Sequence, residues 1–411
     1  MKWWSGLGPE HMRLGIVTSH PIQYQAPLFR ELAKQADVHV YFAHRASAND
    51  QAEAGFGVGF DWDTDLTGGY SHTFLRNVSR RPGIVRFGGC DSPDVGRTLA
   101  ADRPDVIIVF GWHFKTYLQA ARAARALGIP VMVRSDSHQY TPRPFAKRVV
   151  KSIVFPSFLR QFDAFLPTGT RAAAYLRHYR VPENCIRIVP CCIDVEAFRS
   201  REKEARSRRE RIRADWGARS DELIILFVGR LIELKRISDL LEAVGLLVRS
   251  HRAIRVMIVG TGMLEAQLRR QALDFGVPVT FVGFVNQSRL AEFYVGADLL
   301  VLPSESETWG LVVNEAFACG LPAIVSDKVG CAPDMIRENL TGRVVRTGDS
   351  QHLAGTIEEF SGKIHDRSVT QALAEMTEAY SPQRSAEALI AATETSVRDA
   401  RARGSWKGWR R

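Results

Sequence analysis

The feature that most constrains this chain is an alternation of short β-branched runs with amphipathic helical stretches, which continues through almost its whole length. Runs such as residues 106–110 are continuously apolar, as strands covered on both faces are. Stretches such as residues 116–127 have helical periodicity, and this one ends at Gly128 with Pro130 close behind, a helix stop before a strand. Repeated strand-helix units predict parallel sheets with helices on both faces.

Two series of predicted strands are separated by a polar, cation-rich segment, residues 199–215. The first series comprises residues 14–18, 38–42, 106–110, 131–134, 164–167 and 186–190, and the second comprises residues 223–228, 256–259, 279–282, 299–302, 323–326 and 342–345. Because glutamates interleave with its arginines, we interpret the segment as a solvated helix or linker at a domain junction rather than a nucleic-acid patch. A chain of 411 residues is long enough for two cores.

The predicted organisation is two doubly wound α/β domains followed by a C-terminal extension. We assign residues 1–195 to the N-terminal domain, 196–380 to the C-terminal domain and 381–411 to a helix and tail, with packing of that helix on the N-terminal domain as one option. No apolar stretch approaches 18 residues, and the first residues lack the order of a signal peptide. We therefore expect neither a membrane span nor export.

Cysteine usage and charge bear on the cellular compartment and on the kind of ligand. Six cysteines without a C-x-x-C pair indicate neither a zinc site nor a disulfide framework and fit a reducing cytoplasm. The adjacent Cys191 and Cys192 are interpreted as packing residues. The net charge is +10, and 25 basic against 17 acidic side chains fall within the first 200 residues. Such an excess attracts nucleic acid, anionic lipid or a phosphorylated substrate, and its sign does not choose among them.

The densest group of candidate functional residues is the stretch 303–322, in which a predicted strand, a polar loop and a helix follow one another. A helix beginning near Gly310 or Leu311 would direct free backbone N–H groups at the loop, which favours a bound phosphate. Glu307 in the loop and Glu315, about two turns into the helix, can face one ligand together. Taken alone, the pair is also explained as a helix-start charge and a surface residue.

Together with three motifs upstream, this stretch resembles the donor domain of bacterial family 4 glycosyltransferases, retaining enzymes of the GT-B fold. The motifs are Val228-Gly229-Arg230-Leu231 with Lys235, Val259-Gly260-Thr261-Gly262 and Phe281-Val282-Gly283-Phe284. The resemblance is close over residues 186–326 and covers the rest in outline. It implies two Rossmann-like, doubly wound domains that face each other across a cleft. It also implies a nucleotide diphosphate sugar as donor substrate and no further cofactor.

The resemblance implies roles for individual residues. Arg230 and Lys235 would hold the diphosphate, and two cations suit a leaving group whose charge grows as the glycosidic bond breaks. Glu307 would contact hydroxyls of the transferred sugar, and Glu315 would accept from ribose hydroxyls. Thr261 departs from the acidic residue usual in the family, which leaves the role of its neighbouring glycines open. The other implied donor contacts are Gly229, Gly260, Gly262, Gly283, Phe284, Gly310 and Leu311.

The N-terminal domain departs more from the family, because residues 19–27 form a side-chain-rich loop where family members often have a glycine-rich one. His113 is the nearest match to the family's histidine that approaches the reacting sugar, with a structural histidine as the alternative. Ligands of open parallel sheets bind at the carboxyl ends of strands. Candidate cleft contacts in the first of these loops are His20, Gln23 and Tyr24, with helix capping and packing as the alternative. In a later loop, Asp136 or His138 is the candidate contact to the acceptor.

Two other patterns bear on ligands. Asp61 and Asp63 resemble a D-x-D metal motif, but their glycine-rich surroundings favour a turn-forming loop, and we expect no metal site. Residues 137–162 contain no acidic residue and alternate cations with apolar residues, a basic amphipathic pattern. It predicts either a helix packed on its own domain or contact with a membrane that carries a lipid-linked acceptor. The cations proposed for that contact are Arg143, Lys147, Arg148 and Lys151.

We therefore predict a cytoplasmic, metal-independent, retaining glycosyltransferase, at the inner face of the membrane where the basic stretch makes contact. It would transfer a hexose-like sugar to a glycan or lipid-linked acceptor in cell-surface polysaccharide or glycoconjugate synthesis. The residues implied in catalysis are Glu307, His113, Arg230 and Lys235. The alternatives are a GT-B sugar-nucleotide epimerase and a non-catalytic basic protein that binds membranes or nucleic acid. Against nucleic acid, the cations belong to no recognised nucleic-acid module.

Overall fold

The computed structural model describes residues 12–141, 144–250 and 252–402 and divides the chain into two compact units. Unit 1 comprises the described residues up to Asp50, then Asp65–Cys192 and the chain from Pro382 onward. Unit 2 comprises Gln51–Thr64 and Ile193–Ser381. The division after Cys192 lies close to the expected boundary at residue 195. Residues 51–64 belong to unit 2, although they lie in the N-terminal part of the sequence.

Unit 1 is built on a six-stranded parallel sheet. Its strands are β1 (Arg13–Thr18), β2 (Asp37–Phe42), β3 (Ser71–Phe74), β4 (Val106–Val109), β5 (Val131–Ser135) and β6 (Ala164–Pro167). Its helices before the division are α1 (Ala26–Gln35), α2 (Ala48–Gln51), α3 (Val95–Asp102), α4 (Lys115–Ala126), α5 (Phe145–Leu159) and α6 (Thr170–His178). The strand order is β3-β2-β1-β4-β5-β6, so the order reverses between β1 and β4. Such a reversal opens a crevice at the carboxyl ends of the strands.

The central strands of unit 1 are buried on both faces, which explains their continuous apolar sequences. In β4, Ile107 and Val109 belong to one core cluster, whereas Val106 and Ile108 belong to another. This division follows from the two-residue period of a strand, which sends successive side chains to opposite faces. The predicted doubly wound architecture is confirmed.

The prediction of a strand over residues 186–190 is wrong. Ile186 makes a single bridge to Phe165, and although the amides of Arg187 and Val189 donate to the carbonyls of Phe165 and Pro167, residues 187–190 do not form a strand. The guanidinium of Arg134 donates to the carbonyls of Val189 and Pro190 at 3.0 and 2.9 Å, so these acceptors are taken from a possible strand partner. Pro190 also has no N–H to offer a ladder.

Unit 2 repeats the architecture, and every predicted strand of the second series is formed. Its strands are β7 (Leu223–Val228), β8 (Ile254–Val259), β9 (Val279–Gly283), β10 (Leu299–Leu302), β11 (Ala323–Ser326) and β12 (Gly342–Val345). Its helices are α7 (Val195–Arg206), α8 (Arg209–Asp215), α9 (Ile237–Arg249), α10 (Glu265–Phe275), α11 (Gln287–Gly296), α12 (Leu311–Ala318), α13 (Ala332–Met335), α14 (Ser350–Ser361) and α15 (Arg367–Ala379). The order β12-β11-β10-β7-β8-β9 reverses between β7 and β10.

The cation-rich segment 199–215 forms most of α7 and all of α8 and is fastened to unit 2. Arg213 is buried and makes an ion pair with Asp298 at 2.8 Å. The same carboxylate accepts a hydrogen bond from the amide of Ile224 at the start of β7. The segment is therefore helical, as one of the two predicted options required, but α8 is anchored rather than fully solvated.

The last helix, α16 (Pro382–Ala402), belongs to unit 1. Its side chains Ala386 and Leu389 share a core cluster with Phe29 of α1, and Ser385 Oγ donates to the carbonyl of Pro190 at 3.1 Å. The tail beyond residue 402 lies outside the described residues. Within the part of the chain that the structure describes, no helix is both long and apolar enough to cross a membrane.

Candidate active site

The predicted diphosphate cation Lys235 and the predicted sugar-binding carboxylate Glu307 form an ion pair in unit 2. Lys235 ends a short 3₁₀ turn after β7, and Glu307 lies in the loop after β10, the strand beside β7. The two loops are also tied by a backbone hydrogen bond from Glu305 to the carbonyl of Leu234 at 2.8 Å. The side chains of Lys235 and Glu307 are only 14% and 18% exposed. The pair therefore lies at the carboxyl edge of the two strands where the strand order reverses, where ligands of such sheets bind.

Three neighbouring loops of this edge are joined through the backbones of predicted donor-binding glycines. The amide of Gly260 donates to the carbonyl of Gly283 at 2.8 Å. A Cβ on Gly260 would lie 2.0 Å from the carbonyl oxygen of Gly229, and one on Gly262 would lie 2.4 Å from that of Leu231. Only residues without a Cβ allow such an approach. The loops after β7, β8 and β9 consequently form one continuous backbone surface.

Two further residues predicted to contact the donor, Arg230 and Phe284, contact the part of unit 2 formed by residues 51–64. Arg230 Nη1 donates to the carbonyl of Ala54 at 3.0 Å. The Phe284 ring lies on the ring of Phe60, with centroids 4.1 Å apart and planes 34° apart. Sequence reasoning missed the contacts of this segment with Arg230 and Phe284, because they join residues far apart in the sequence.

Helix α12 begins at Leu311, as predicted, with Gly310 in a left-handed conformation (φ 103°) immediately before it. The first amides of a helix lack intrahelical acceptors and carry the positive end of its dipole. The start of α12 follows the loop that carries Glu307, so these amides lie close in sequence to the carboxylate of the ion pair. This is the arrangement from which an anion site was predicted.

Glu315 is buried inside unit 2 and is not a surface residue. Its side chain accepts a hydrogen bond from the hydroxyl of Tyr294 at 2.6 Å, in addition to a bond from Gln287. Burial raises the pKa of Glu315 to about 7, and the two hydrogen bonds act in the opposite direction. Tyr294 was not identified from the sequence, where its position in a helix marks it only as a core residue.

The D-x-D pattern has a structural role in unit 2. The carboxylate of Asp63 accepts hydrogen bonds from the amide and the hydroxyl of Ser288 in the first turn of α11. The main-chain carbonyl of Asp61 accepts from Asn286, the residue that precedes this helix, at 2.8 Å. Asp63 thus serves as a cap for α11. Over residues 12–141, 144–250 and 252–402, no group of three or more His, Cys, Asp or Glu side chains is placed to hold a metal ion.

The predicted acceptor residues of unit 1 gather at the carboxyl edge of β1, β4 and β5. Burial lowers the pKa of His20 to about 4, with His44 and His113 acting in the same direction, so His20 is neutral near pH 7. Desolvation also lowers the pKa of His113, whereas the nearby carboxylate of Asp136 opposes this. The pKa of Tyr24 is raised, first by burial and then by Asp136. The charges of these side chains therefore shift one another's pKa values, as is typical of residues in one site.

Two other predicted contacts of unit 1 differ in character. Gln23 Oε1 is buried and has no hydrogen-bond partner among the described residues, so it is an available acceptor. His138 is 1% exposed, and its Nδ1 accepts from the amide of Tyr140 at 3.0 Å, which fits a structural role. The structure also adds His44, which sequence reasoning missed. Its Nε2 lies 3.1 Å from the carboxylate of Asp50.

The basic amphipathic stretch forms α5, and its cations do not all face outward. Lys147 and Arg148 are exposed, whereas Arg143 lies outside the described residues. The assignment of Lys151 to the membrane face is wrong, because its ammonium lies 4.3 Å from the centre of the Phe155 ring and bonds to the hydroxyl of Tyr175. At 3.6 residues per turn, positions 151 and 155 fall on the face that packs against unit 1.

Comparison with known proteins agrees with this architecture. Residues 208–375 match the family model for glycosyl transferases group 1, and residues 21–192 match that for a glycosyl transferase 4-like domain. A D-inositol 3-phosphate glycosyltransferase of Streptomyces scabiei is 30% identical over 275 residues, which are 64% of this chain and 56% of that protein. A sulfoquinovosyl transferase of Arabidopsis thaliana is 28% identical over 305 residues, 70% of this chain and 56% of that protein. The chain thus spans about half the length of the curated relatives it matches.

Among solved structures, HepE of Anabaena, crystallised in complex with UDP and glucose, matches with a TM-score of 0.67. The match covers 94% of this chain and 100% of that chain at 16% sequence identity, a level at which the likeness concerns the fold. Two parallel six-stranded α/β sheets and matches to both family models lead to the same assignment. The chain belongs to the group 1 glycosyltransferases with a family 4-like N-terminal domain, and its fold is GT-B.

Proposed function

We propose that this protein transfers a sugar from a nucleotide diphosphate sugar to a glycan or lipid-linked acceptor, with retention of the anomeric configuration. The observation that carries the proposal is the Lys235–Glu307 ion pair at the carboxyl edge of unit 2. A cation for the diphosphate and a carboxylate for the sugar hydroxyls are there within reach of the same ligand. The complex of HepE with UDP and glucose supports a uridine diphosphate sugar as the first donor to test.

In the proposed reaction, the bond between the anomeric carbon and the diphosphate oxygen breaks while a bond to the acceptor oxygen forms. Arg230, Lys235 and the first amides of α12 stabilise the negative charge that grows on the leaving diphosphate. The acceptor attacks on the face that the diphosphate leaves, and its proton passes to a diphosphate oxygen. Glu307 holds sugar hydroxyls and forms no bond to the anomeric carbon.

The proposal assigns roles to further residues within each unit. In unit 2, the Glu315 carboxyl accepts from the ribose hydroxyls of the donor. In unit 1, His113 supplies polar stabilisation to the reacting sugar, and His20, Gln23, Tyr24 and Asp136 bind the acceptor. The unpartnered Gln23 Oε1 supports this, because a buried acceptor without a donor gains from a hydroxyl ligand. His138 would act by shaping the loop. The product would be part of a cell-surface polysaccharide or glycoconjugate.

The proposal is tested by incubating the protein with a panel of sugar nucleotides in EDTA, with and without glycan or lipid-linked acceptor extracts. We expect acceptor-dependent release of nucleoside diphosphate, because cations and helix amides rather than a metal neutralise the leaving group. NMR of the new linkage is expected to show the donor's anomeric configuration. Inversion would overturn the mechanism, and activity that requires Mn²⁺ would overturn metal independence. Conversion of the sugar nucleotide without acceptor would indicate an epimerase or hydrolase.

We also propose that α5 holds the enzyme at the cytoplasmic face of an anionic membrane. Five of its large apolar side chains are between 42% and 79% exposed and fall within one half of the helix circumference: Phe145, Val149, Val150, Ile153 and Val154. Lys147 and Arg148 flank this stripe on its two sides. An exposed apolar stripe bordered by cations is the pattern of a helix that lies in the membrane interface.

Substitution of Ile153 by glutamate is expected to abolish co-sedimentation with vesicles that contain phosphatidylglycerol. The side chain is 71% exposed, so the fold should tolerate the change, whereas a carboxylate in the apolar stripe opposes insertion. The control is Leu273→Glu, a change at an apolar residue of α10 that is 81% exposed. Equal binding of both variants, or no binding of the unmodified protein, would contradict the membrane proposal.

A further inference from the structure

Residues 51–64 lie against those loops of unit 2 that carry predicted donor contacts. One end begins with a π-helical turn, Ala52–Phe56, whose Ala54 carbonyl accepts from Arg230. Further along, Phe60 lies on Phe284, and the Trp62 ring meets Phe60 edge-on at 4.8 Å. The segment thus touches the loop after β7 and the loop after β9. Both loops belong to the edge at which the site was described.

The far end of the segment is fastened independently of these two contacts. Asp63 caps α11 through the amide and hydroxyl of Ser288, and the carbonyl of Asp61 accepts from Asn286. These bonds supply acceptors at the start of α11, whose first backbone N–H groups have no acceptor within the helix. The segment is consequently held at three places of unit 2 rather than lying over it as a loose loop.

The contact between Ala54 and Arg230 leaves the positive charge of Arg230 available to bind an anion. The Arg230 side chain is otherwise exposed, and a free guanidinium of this kind would sample many rotamers. A carbonyl oxygen is neutral, so it orients the group without cancelling its charge, as a carboxylate would. Arginine has five N–H donors, and the Ala54 carbonyl accepts from only one of the two on Nη1.

Gly55 makes this contact possible. Its φ is +102°, and a Cβ on it would lie 2.4 Å from Arg230 Nη1. Gly57 is two residues further on and also has a positive φ, +73°, but a Cβ there would meet no atom within 4 Å. The two glycines therefore share the backbone requirement and differ in whether a methyl group displaces the guanidinium.

We propose that residues 51–64 are a positioning element of the donor site, in which the carbonyl of Ala54, approached across Gly55, orients Arg230 toward the donor diphosphate. The inference rests on the proposed function and adds a segment that the donor-domain motifs do not contain. A guanidinium held in advance loses less freedom on binding a phosphate, and this raises affinity without a new contact to the ligand.

The test compares Gly55→Ala with Gly57→Ala in the full chain, by calorimetric titration with UDP, GDP, ADP and inorganic pyrophosphate. We expect Gly55→Ala to raise the Kd of the nucleotide that binds by about tenfold, the scale of one hydrogen bond to a charged group. Gly57→Ala should stay within about twofold, since it shares only the backbone strain. With an active donor, Gly55→Ala should also lower kcat, in the same direction as Arg230→Ala, because the displaced guanidinium stabilises the leaving diphosphate.

A double-substitution cycle separates positioning from general damage. In an Arg230→Ala background, Gly55→Ala should have no further effect, because the group that it displaces is absent. If Gly55→Ala does not fold, Asp63→Ala, which frees the segment at α11, is expected to raise the same Kd. Equal losses in Gly55→Ala and Gly57→Ala, or an undiminished loss without Arg230, would overturn the inference. Failure of the unmodified protein to bind any of the four probes would instead overturn the proposed function and this inference with it.

Discussion

Replacement of Lys235 by alanine is expected to lower turnover at least a hundredfold while the fold is retained. Lys235 is the more buried of the two cations proposed for the diphosphate, and its ammonium is paired with Glu307. The substitution removes a preorganised charge from the leaving group, a loss of roughly 2.7–4 kcal/mol in comparable cases. It also leaves the Glu307 carboxylate unopposed beside an anionic substrate. The measurement is kcat with the active donor, together with the melting temperature.

Companion variants separate these contributions. Arg230→Ala is expected to reduce turnover by a similar factor, because it removes the second cation. Lys203→Ala, an exposed lysine of α7, is the matched control and should leave turnover unchanged. In the double variant Lys235→Ala/Glu307→Gln, the loss of turnover should be smaller than the two single losses combined, because no unopposed carboxylate remains beside the anionic substrate. Turnover close to that of the unmodified protein in both cation variants would refute the donor-site assignment.

A strand that is buried and apolar throughout could be predicted from the sequence. All four residues of β10 are buried, and the run Leu299–Leu302 was recognised with its exact bounds. Strand β3 was missed because it lies at the edge of its sheet and its residues Ser71–Phe74 alternate between exposed and partly buried positions. Residues 186–190 failed in the opposite way, because their β-branched residues predicted a strand although only Ile186 and Val189 are buried and Ile188 is 45% exposed.

The positions of candidate site residues were predictable where these residues directly follow strand ends. Lys235 and Glu307 lie after β7 and β10, and strand adjacency in a doubly wound sheet brings such loops together. The partners of Arg230 and of the helix α11 were not predictable in this way. The Arg230 contact to Ala54 spans 176 positions, and the Asp63 contact to Ser288 spans 225. No local periodicity encodes which loop will meet which helix start, so the sequence predicted a turn-forming loop at the D-x-D pattern but not its role as a cap of α11.

Glu315 shows a limit of another kind, because its position was predicted and its environment was not. Helical spacing placed it two turns after Glu307, with a surface residue as the alternative interpretation. The structure buries it to 7% exposure against Tyr294, and burial raises its pKa from 4.5 to about 7. In the folded protein this carboxyl therefore holds a proton over a pH range in which it is ionised in the unfolded chain.

Substitution of Glu315 by glutamine is accordingly expected to stabilise the protein at pH 8 and to leave its stability nearly unchanged at pH 4.5. Between pH 4.5 and 7 the folded state binds about one proton more than the unfolded state, so the stability of the unmodified protein falls as pH rises through this window and levels off above it. The expected difference above pH 7 is about 3 kcal/mol. Glutamine removes the charge but keeps an acceptor for Tyr294. Melting temperatures measured across this pH range provide the test.

Two comparisons test the origin of this stabilisation and the role of Glu315. The first asks whether the stabilisation comes from a desolvated carboxylate, and the second asks whether Glu315 takes part in donor binding. Glu222 is equally buried at 8% exposure but is paired with Arg255 at 3.0 Å, so Glu222→Gln should destabilise at pH 8 where Glu315→Gln stabilises. At the same pH, Glu315→Gln should weaken nucleotide binding, because an amide replaces one of the two carboxylate oxygens that ribose hydroxyls require. A variant that is more stable and binds nucleotide as well as before would leave Glu315 as a buried core carboxyl without a part in donor binding. A pH-independent difference in melting temperature would contradict the raised pKa itself.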